Sequence, residues 1–157
     1  MTSSPPTDAD WRSGYADHAD RLIRLATMLV GPDDATDLVT DTLRRVTAGR
    51  PPTGEVGAYL TRSLVNAAAS HYRSLSRRTR REERAALAAS TAPVDLSNAI
   101  DVRRALGDLS PQQQAVVFLA YWEDLTIPQI ADRLDVGEGT VRRQLARAKT
   151  RLREVLQ

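Results

Sequence analysis

Apolar side chains recur every three or four positions along most of this sequence, which is the spacing of one face of an α-helix. Two such stripes stand out near the C-terminus, and Asp135-Val136-Gly137 separates them. The first stripe contains Ile127, Ile130, Ala131 and Leu134, and the second contains Val141, Leu145, Ala148, Leu152 and Val155. The pattern predicts two helices joined by a tight turn between residues 125 and 156.

Helix-start signals support this prediction. Thr126 stands three residues before Gln129, which is the spacing of a capping box, in which each side chain satisfies a backbone N–H group of the first helical turn. Ser110 and Gln113 repeat the spacing, with Pro111 at the first helical position. Gly137 is an acceptable N-cap for the last helix.

The last helix carries a polar, basic face opposite its apolar stripe. At about 100° per residue, Thr140, Arg143 and Arg147 point away from the stripe, and Arg142 and Gln144 lie on its flanks. Arg and Gln side chains hydrogen-bond guanine and adenine edges in a major groove, and Thr contacts bases or phosphates. A solvated, Arg-rich face on an ordinary helix is the alternative explanation. Because the face follows a capped helix and a short turn, the combination favours a DNA-binding helix-turn-helix, whose second helix contacts bases near its start.

The rest of the chain also shows helical periodicity and no strand pattern. Residues 1–10 are polar and predicted to be disordered. Three helices are predicted over residues 11–89, with breaks at Gly31-Pro32 and at the Pro- and Gly-rich residues 49–54. Residues 90–98 are a predicted linker, and residues 99–157 contain a short helix over 99–106, the helix that begins at Pro111, and the helix-turn-helix. We therefore predict an all-α fold with two small helical domains.

The third predicted helix, from about Glu55 to Arg84, becomes strongly basic in its second half. Its basic residues are Arg73, Arg77, Arg78, Arg80, Arg81 and Arg84, with Tyr72 at the edge of the patch. Arginine near a helix C-terminus is favoured by the helix dipole, so a solvated helix end is one explanation. The self-repulsion of so many cations favours an anionic ligand instead.

Composition excludes several classes of function. The 157 residues carry a formal charge of +2, include no cysteine, and include two histidines. A disulfide framework and a thiolate metal site are therefore excluded. No apolar run approaches the roughly 20 residues of a membrane span, and the N-terminus lacks a signal-peptide pattern, so we expect a cytoplasmic protein. Phosphate-binding Gly-rich loops, nucleophile elbows and metal-ligand clusters are absent from the sequence, so we expect neither enzymatic activity nor a cofactor.

The order of these parts resembles that of an extracytoplasmic-function (ECF) RNA polymerase sigma factor, which is built from sigma regions 2 and 4. The C-terminal matches are Leu109–Gln114, Tyr121–Leu125, Ile130-Ala131, Gly139–Arg142 and Arg147-Ala148. The N-terminal matches are Leu29–Ala35, Asp37–Thr42, Tyr59-Leu60 and Leu64–Ala67. The Leu-Val-Asn and Leu-Val-Gly-Pro-Asp-Asp segments look like the actinobacterial SigE-type subgroup.

The resemblance implies a partner and a set of residues for each region. Region 4 would bind the −35 promoter element and rest on the polymerase β-flap, and its implied DNA-binding residues are Glu138, Thr140, Arg142, Arg143, Gln144 and Arg147. Region 2 would capture the non-template strand of the −10 element with Asn66, Ser70, His71, Tyr72, Arg73, Arg77 and Arg78. The second helix would dock on the β′ clamp helices of core RNA polymerase through Asp37, Leu38, Asp41 and Thr42. An anti-sigma factor is a further implied partner.

Departures from the family pattern leave two alternatives open. Position 70 is Ser where Asp is usual, position 59 is Tyr where Trp is common, and Gly137 replaces a usual Ser. Because aromatic stacking contributes about 1–3 kcal/mol per base, a region 2 with few aromatic residues has a weaker basis for opening DNA strands. A sigma-like protein that acts by binding polymerase or an anti-sigma factor is one alternative. The other is a stand-alone helix-turn-helix regulator, against which the docking-helix match argues.

Overall fold

The computed structural model describes residues 8–49, 55–85 and 105–155, and every regular element in these ranges is helical. We number the helices α1 (Asp8–Val30), α2 (Pro32–Ala48), α3 (Val56–Ala85), α4 (Pro111–Tyr121), α5 (Ile127–Leu134) and α6 (Glu138–Val155). Residues 105–107 form one more helical turn before α4. The predicted all-α fold is confirmed over these residues. None of the described helices is both long enough and apolar enough to cross a membrane.

The boundaries of the N-terminal helices follow from local chemistry. Gly31 separates α1 from α2 with φ at 88°, a backbone conformation that favours glycine. Pro32 then begins α2, and Asp33 and Asp34 occupy its first turn, where the helix dipole stabilises acidic groups. Helix α1 begins at Asp8, so residues 8–10 of the segment predicted to be disordered are helical, whereas residues 1–7 lie outside the described ranges. The predicted linker over 90–98 and residues 99–104 of the predicted short helix also lie outside them.

Both predicted capping boxes are present. The Gln113 backbone N–H donates to Ser110 Oγ at 3.2 Å, and the Ser110 N–H donates to Gln113 Oε1 at 3.1 Å. At the start of α5, the Thr126 N–H donates to Gln129 Oε1 at 2.8 Å, and the Gln129 N–H donates to Thr126 Oγ1 at 3.4 Å. Asp135 ends α5 in a left-handed conformation with φ at 53°. This residue reverses the chain direction into the turn before α6.

The N-terminal unit (α1–α3) and the C-terminal unit (residues 105–155) share one hydrophobic core. Helix α1 packs against α2, α3 and α4, and α3 also packs against α4 and α5. The most buried members of this core are Leu22, Leu25, Leu60, Leu64, Val116, Leu119, Ile130 and Val141. Val155, the last residue of α6, is exposed and does not continue the predicted apolar stripe. The described parts of the two units are thus packed directly against each other.

Candidate nucleic-acid interface

The helix-turn-helix is held in place by small and β-branched side chains buried between its two helices and α4. Ile130 of α5 and Val141 and Ala148 of α6 are completely buried. The Val136 N–H donates to the Ala131 carbonyl at 3.0 Å across the turn. Gly137 is next, and its carbonyl accepts hydrogen bonds from the N–H groups of the first turn of α6, as expected for the predicted N-cap. This packing fixes the rotation of α6, so the opposite face must point outward.

The outward face of α6 carries the predicted basic residues. Arg142, Arg143 and Arg147 are exposed, as is Glu138 at the start of the helix. Arg142 Nη2 lies 3.0 Å from Glu138 Oε2, and Arg143 Nη2 donates to a half-buried neighbour, Thr140 Oγ1, at 3.3 Å. Such exposed contacts contribute little to stability. They align the guanidinium groups while leaving them able to exchange these partners for phosphates or base edges.

Gln144 differs from the rest of the predicted group. Its side chain is half-buried, and its Oε1 atom is buried without a hydrogen-bond partner. Because a flank position on α6 turns partly toward the neighbouring helices, this amide is less accessible than the arginines. The other five residues predicted to bind DNA in region 4 are exposed or half-buried on the outward face of α6.

A second candidate surface is a pocket of about 290 Å³ between α2 and α3. Its lining residues are Thr42, Arg45, Val46, Tyr59, Ser63, Asn66, Ala67 and Ser70. Ligand pockets have volumes of about 300–1,000 Å³, so this one has room for a small group. It combines one aromatic ring, several hydroxyl groups, one amide and a cation.

The polar face of α3 continues from this pocket toward the basic end of the helix. Asn66, Ser70, Arg73 and Arg77 recur at helical spacing and are all exposed. Arg73 Nη2 donates to Ser70 Oγ at 3.2 Å. The side chain of Arg78 lies outside the described part of the chain. The result is a row of polar and basic groups that leads away from the pocket opening.

His71 and Tyr72 do not belong to this row. They line a different groove of about 910 Å³ between the two units, together with apolar residues that include Met28, Phe118 and Trp122. The Tyr72 hydroxyl donates to the Gly107 carbonyl at 3.0 Å. At about 100° per residue, positions 71 and 72 point well away from positions 66 and 70. The structure therefore divides the predicted region 2 residues between two surfaces.

The predicted polymerase-binding residues of α2 are only partly on its surface. Asp37 and Asp41 are exposed and Leu38 is half-buried. Thr42 is only 4% exposed, and its hydroxyl donates to the Leu38 carbonyl at 2.7 Å. The predicted direct contact between Thr42 and a partner stays a prediction, and in this structure the Thr42 side chain lies between α2 and α3. Asp41 also has partners within α2, namely Arg44 Nη1 at 3.6 Å and Arg45 Nη2 at 3.4 Å.

Arg45 and Ser63 line the pocket but are not among the residues predicted from the sequence. Arg45 stands three residues after Thr42 and four after Asp41, so its position on the α3-facing edge of α2 was inferable from helical spacing. Ser63 precedes Asn66 by three residues in the same way. Helical spacing alone does not show that α2 packs against α3, and this packing brings Arg45 and Ser63 into the same pocket.

Taken together, these features define the class of protein. A capped helix-turn-helix with an exposed basic second helix, joined to a helical unit with its own basic helix, belongs to the helix-turn-helix transcription proteins. The described residues include no group of three or more histidine, aspartate or glutamate side chains able to hold a metal ion.

Comparison with known proteins identifies the family. A family model described as sigma-70, region 4, matches residues 99–152. The chain is 35% identical over 147 residues to an RNA polymerase sigma-E factor of Streptomyces coelicolor. This alignment covers 87% of the chain and 80% of the relative. It is also 35% identical over 148 residues to the RNA polymerase sigma-E factor of Streptomyces avermitilis, in an alignment that covers 88% of the chain and 80% of that relative. The chain belongs to the ECF RNA polymerase sigma factors.

A solved structure supports the same fold. The sigma factor RpoE of Bartonella quintana, crystallised in complex with the anti-sigma factor NepR, has a TM-score of 0.64 with this chain. The match covers 94% of this chain and 96% of the Bartonella chain at 24% sequence identity. The Bartonella structure supports the fold, and the matches to the region 4 family model and to the Streptomyces sigma-E factors show an RNA polymerase sigma factor that acts in transcription initiation. Members of this class bind RNA polymerase and promoter DNA.

Proposed function

We propose that this sigma factor recognises its promoters at two separate surfaces, one on α6 and one along α3. The observation that carries the proposal is the fixed outward face of α6, where Arg142, Arg143 and Arg147 are exposed opposite the completely buried Val141 and Ala148. Such an arrangement suits insertion of a helix into a major groove. The protein acts in the cytoplasm, as a specificity subunit without catalytic activity of its own.

The −35 element is bound by the first turns of α6. Arg143 and Arg147 are the base-contacting or phosphate-contacting candidates at the centre of the face, and Arg142 and Glu138 are at its edge. Thr140 can contact a phosphate or a base from the side. Since Gln144 is half-buried, it has a smaller role than its type would indicate.

The −10 element is captured by the α2–α3 pocket. An unstacked base of the non-template strand would enter beside Tyr59 and meet the amide of Asn66 and the hydroxyls of Ser63 and Ser70. The strand would then follow Arg73 and Arg77 along the exposed face of α3. Aromatic stacking and a cationic path for the backbone are the two features that single-stranded DNA binding requires. Arg45 and Ser63 therefore take the place of His71 and Tyr72 among the residues assigned to the −10 surface.

Core polymerase is bound through the exposed acidic face of α2. Asp37 and Asp41 would pair with basic residues of the β′ clamp helices, and Leu38 would add a partly buried apolar contact. The polymerase β-flap would contact the C-terminal unit. Because Asp41 already pairs with Arg44 and Arg45, docking would have to exchange those weak surface contacts for intermolecular ones.

An anti-sigma factor is a further partner, and the groove between the units is its proposed site. The groove is about 910 Å³ in volume and mostly apolar. Trp122 is 65% exposed beside it and stacks on Phe118 with ring centroids 6.2 Å apart. Large exposed apolar groups of this kind mark protein-binding surfaces. The Bartonella neighbour, which was crystallised with an anti-sigma factor, motivates the choice of partner.

Run-off transcription tests the proposed function. Purified core polymerase is combined with or without this protein on the DNA upstream of its own gene. A new, protein-dependent start site supports promoter recognition and gives both promoter elements. A stable complex with core polymerase that yields no transcript would favour a sigma-like protein that acts by binding alone.

Substitutions at the pocket then test the −10 assignment. Asn66→Ala is expected to reduce open-complex formation, whereas Thr150→Ala, which replaces an exposed polar residue of α6 that does not line the pocket, serves as the control. Permanganate reactivity of unpaired thymines reports strand opening directly. Unchanged reactivity with Asn66→Ala would contradict the assignment of the pocket.

A further inference from the structure

The groove between the two units has the size and the apolar lining of a small-molecule site. Its volume is about 910 Å³, toward the upper end of the roughly 300–1,000 Å³ that is typical of such sites. Most of the side chains that line it are apolar, and they include Met28 of α1, Leu75 of α3 and Leu106 from the helical turn before α4. A groove of this composition favours an apolar molecule over water.

One wall of the groove is aromatic. Phe118 of α4 and Trp122, four residues later, stack with ring centroids 6.2 Å apart and ring planes at 7° to each other. Phe118 is buried and Trp122 is exposed, so this wall runs from the interior of the protein to the rim of the groove. Tyr72 and Met28 also line the groove. Aromatic rings and a methionine thioether both pack favourably against a flat ring, so the wall fits a ring compound better than a flexible chain.

A buried amide supplies a polar contact at the groove wall. Gln114 of α4 lines the groove and is only 1% exposed. Its Nε2 donates to the Leu106 carbonyl at 2.6 Å, whereas its Oε1 is buried without a hydrogen-bond partner. Because Leu106 lines the groove as well, the amide lies at the groove wall. A buried carbonyl without a partner costs free energy, and a donor group that reaches it recovers that cost.

Two ionisable side chains at the groove have neighbours of their own. Arg24 is exposed, and its Nε donates to the Asp20 carbonyl at 3.3 Å. His71 Nε2 has no hydrogen-bond partner, but it lies 3.6 Å from Asp34 Oδ2. Burial of a charge among apolar side chains is costly unless the charge is paired. The ligand that suits the Gln114 carbonyl and its apolar surroundings is therefore neutral.

We propose that the groove binds a neutral, apolar ring compound whose single hydroxyl or N–H group donates a hydrogen bond to Gln114 Oε1. The ring lies against Phe118 and Trp122, and the hydrogen bond forms away from water, where it is stronger. The inference goes beyond promoter recognition and does not depend on it. Because the anti-sigma factor proposed for the same groove would also contact Trp122, the ring compound and the anti-sigma factor would compete for this surface.

Indole and 1-methylindole are the probes that test the proposal on the full-length protein. The two molecules share a flat, neutral, apolar ring system, but methylation removes the N–H donor of indole. One additional hydrogen bond corresponds to about two- to twelvefold in Kd, so indole should bind more tightly than 1-methylindole by a factor in this range. Titrations followed by saturation-transfer NMR give both values of Kd. Neither polymerase nor DNA is present, so the result is independent of run-off transcription.

Two variants and one control locate the probe in the groove. Gln114→Met keeps the length of the side chain and removes its amide, so both probes should still bind and the preference for indole should disappear. Trp122→Ala removes part of the aromatic wall and should weaken the binding of both probes by about two- to twelvefold. Tyr121→Ala is the matched control, because Tyr121 is an adjacent, exposed aromatic residue that does not line the groove.

Each outcome decides the proposal. A preference for indole that is lost in Gln114→Met, together with binding that is weakened by Trp122→Ala but not by Tyr121→Ala, supports it. Equal affinity of the wild-type protein for both probes would overturn it, and so would a preference that survives in Gln114→Met or equal effects of Trp122→Ala and Tyr121→Ala. The absence of saturable binding would also overturn it and leave the groove to a protein partner.

A measurement on the wild-type protein decides the proposal if circular dichroism shows that Gln114→Met does not fold. The side-chain amide resonances of Gln114 report directly on a hydrogen bond to its Oε1. A chemical-shift change with indole that 1-methylindole does not produce supports the proposal. Equal changes with the two probes, or no change with either, overturn it.

Discussion

Replacement of Arg143 by Ala tests the DNA-binding face of α6 most directly. The side chain is exposed, and its only described hydrogen bond is to Thr140 Oγ1 at 3.3 Å. Losing one such surface contact changes the free energy of unfolding by no more than about 0.5 kcal/mol. An effect of this substitution on DNA binding therefore reports a lost protein–DNA contact rather than a damaged fold.

The expected loss of binding free energy depends on what Arg143 contacts. A bidentate contact to a guanine is worth about 1–3 kcal/mol, which corresponds to about 5- to 150-fold in Kd. It would also relax sequence preference at one base pair. A phosphate contact would instead weaken binding to all sequences and reduce the slope of log K against log salt by about one.

Fluorescence anisotropy with a labelled −35 duplex distinguishes these outcomes when measured over a range of salt concentrations and with single-base variants of the duplex. Lys149→Ala is the matched control: it removes one exposed positive charge from the same helix, about 120° around its axis from Arg143. Equal effects of both substitutions would refute the assigned face, because they would show only a general dependence on charge.

Three further predictions concern the polymerase surface and the stability of the fold. Asp37→Ala/Asp41→Ala should weaken copurification with core polymerase, because it removes the exposed acidic face of α2, while binding to a −35 duplex stays unchanged. Gly57→Ala should lower the free energy of unfolding by about 1 kcal/mol, measured by urea denaturation, because the new Cβ would lie 2.7 Å from His18 Nε2. Thr126→Ala should cost about 1 kcal/mol in the same assay through loss of the α5 capping box.

Matched variants decide each of these results. Asp17→Ala/Asp20→Ala removes two exposed acidic residues from α1, and an equal loss of copurification there would refute the α2 surface. Gly139→Ala has open space around its new Cβ and should not destabilise the protein. If adding His18→Ala fails to relieve the effect of Gly57→Ala, the steric explanation is wrong. Thr126→Ser should retain most of the capping energy, so an equal loss in Thr126→Ser and Thr126→Ala would contradict the capping argument.

The sequence by itself determined where most of the described helices begin and end and which face of each is apolar. Both capping boxes, the break at Gly31-Pro32 and the turn before α6 depend on contacts within a few residues. Such contacts are encoded by local spacing, and so is the outward direction of Arg143 once Val141 and Ala148 are assigned to the core. The family, too, was recognisable from motifs that are continuous in the sequence, and the comparisons confirm it.

Tertiary structure decided which helix faces meet. The position of Thr42 between α2 and α3, the membership of Arg45 in the pocket and the separation of Tyr72 from Asn66 all follow from the pairing of helices distant in sequence. The same is true of the contact between Arg21 and Glu123, which are about one hundred residues apart. Helical periodicity fixes the direction of a side chain relative to its own helix axis, but the partner it meets depends on how whole helices pack, and that is settled by the burial of the shared core.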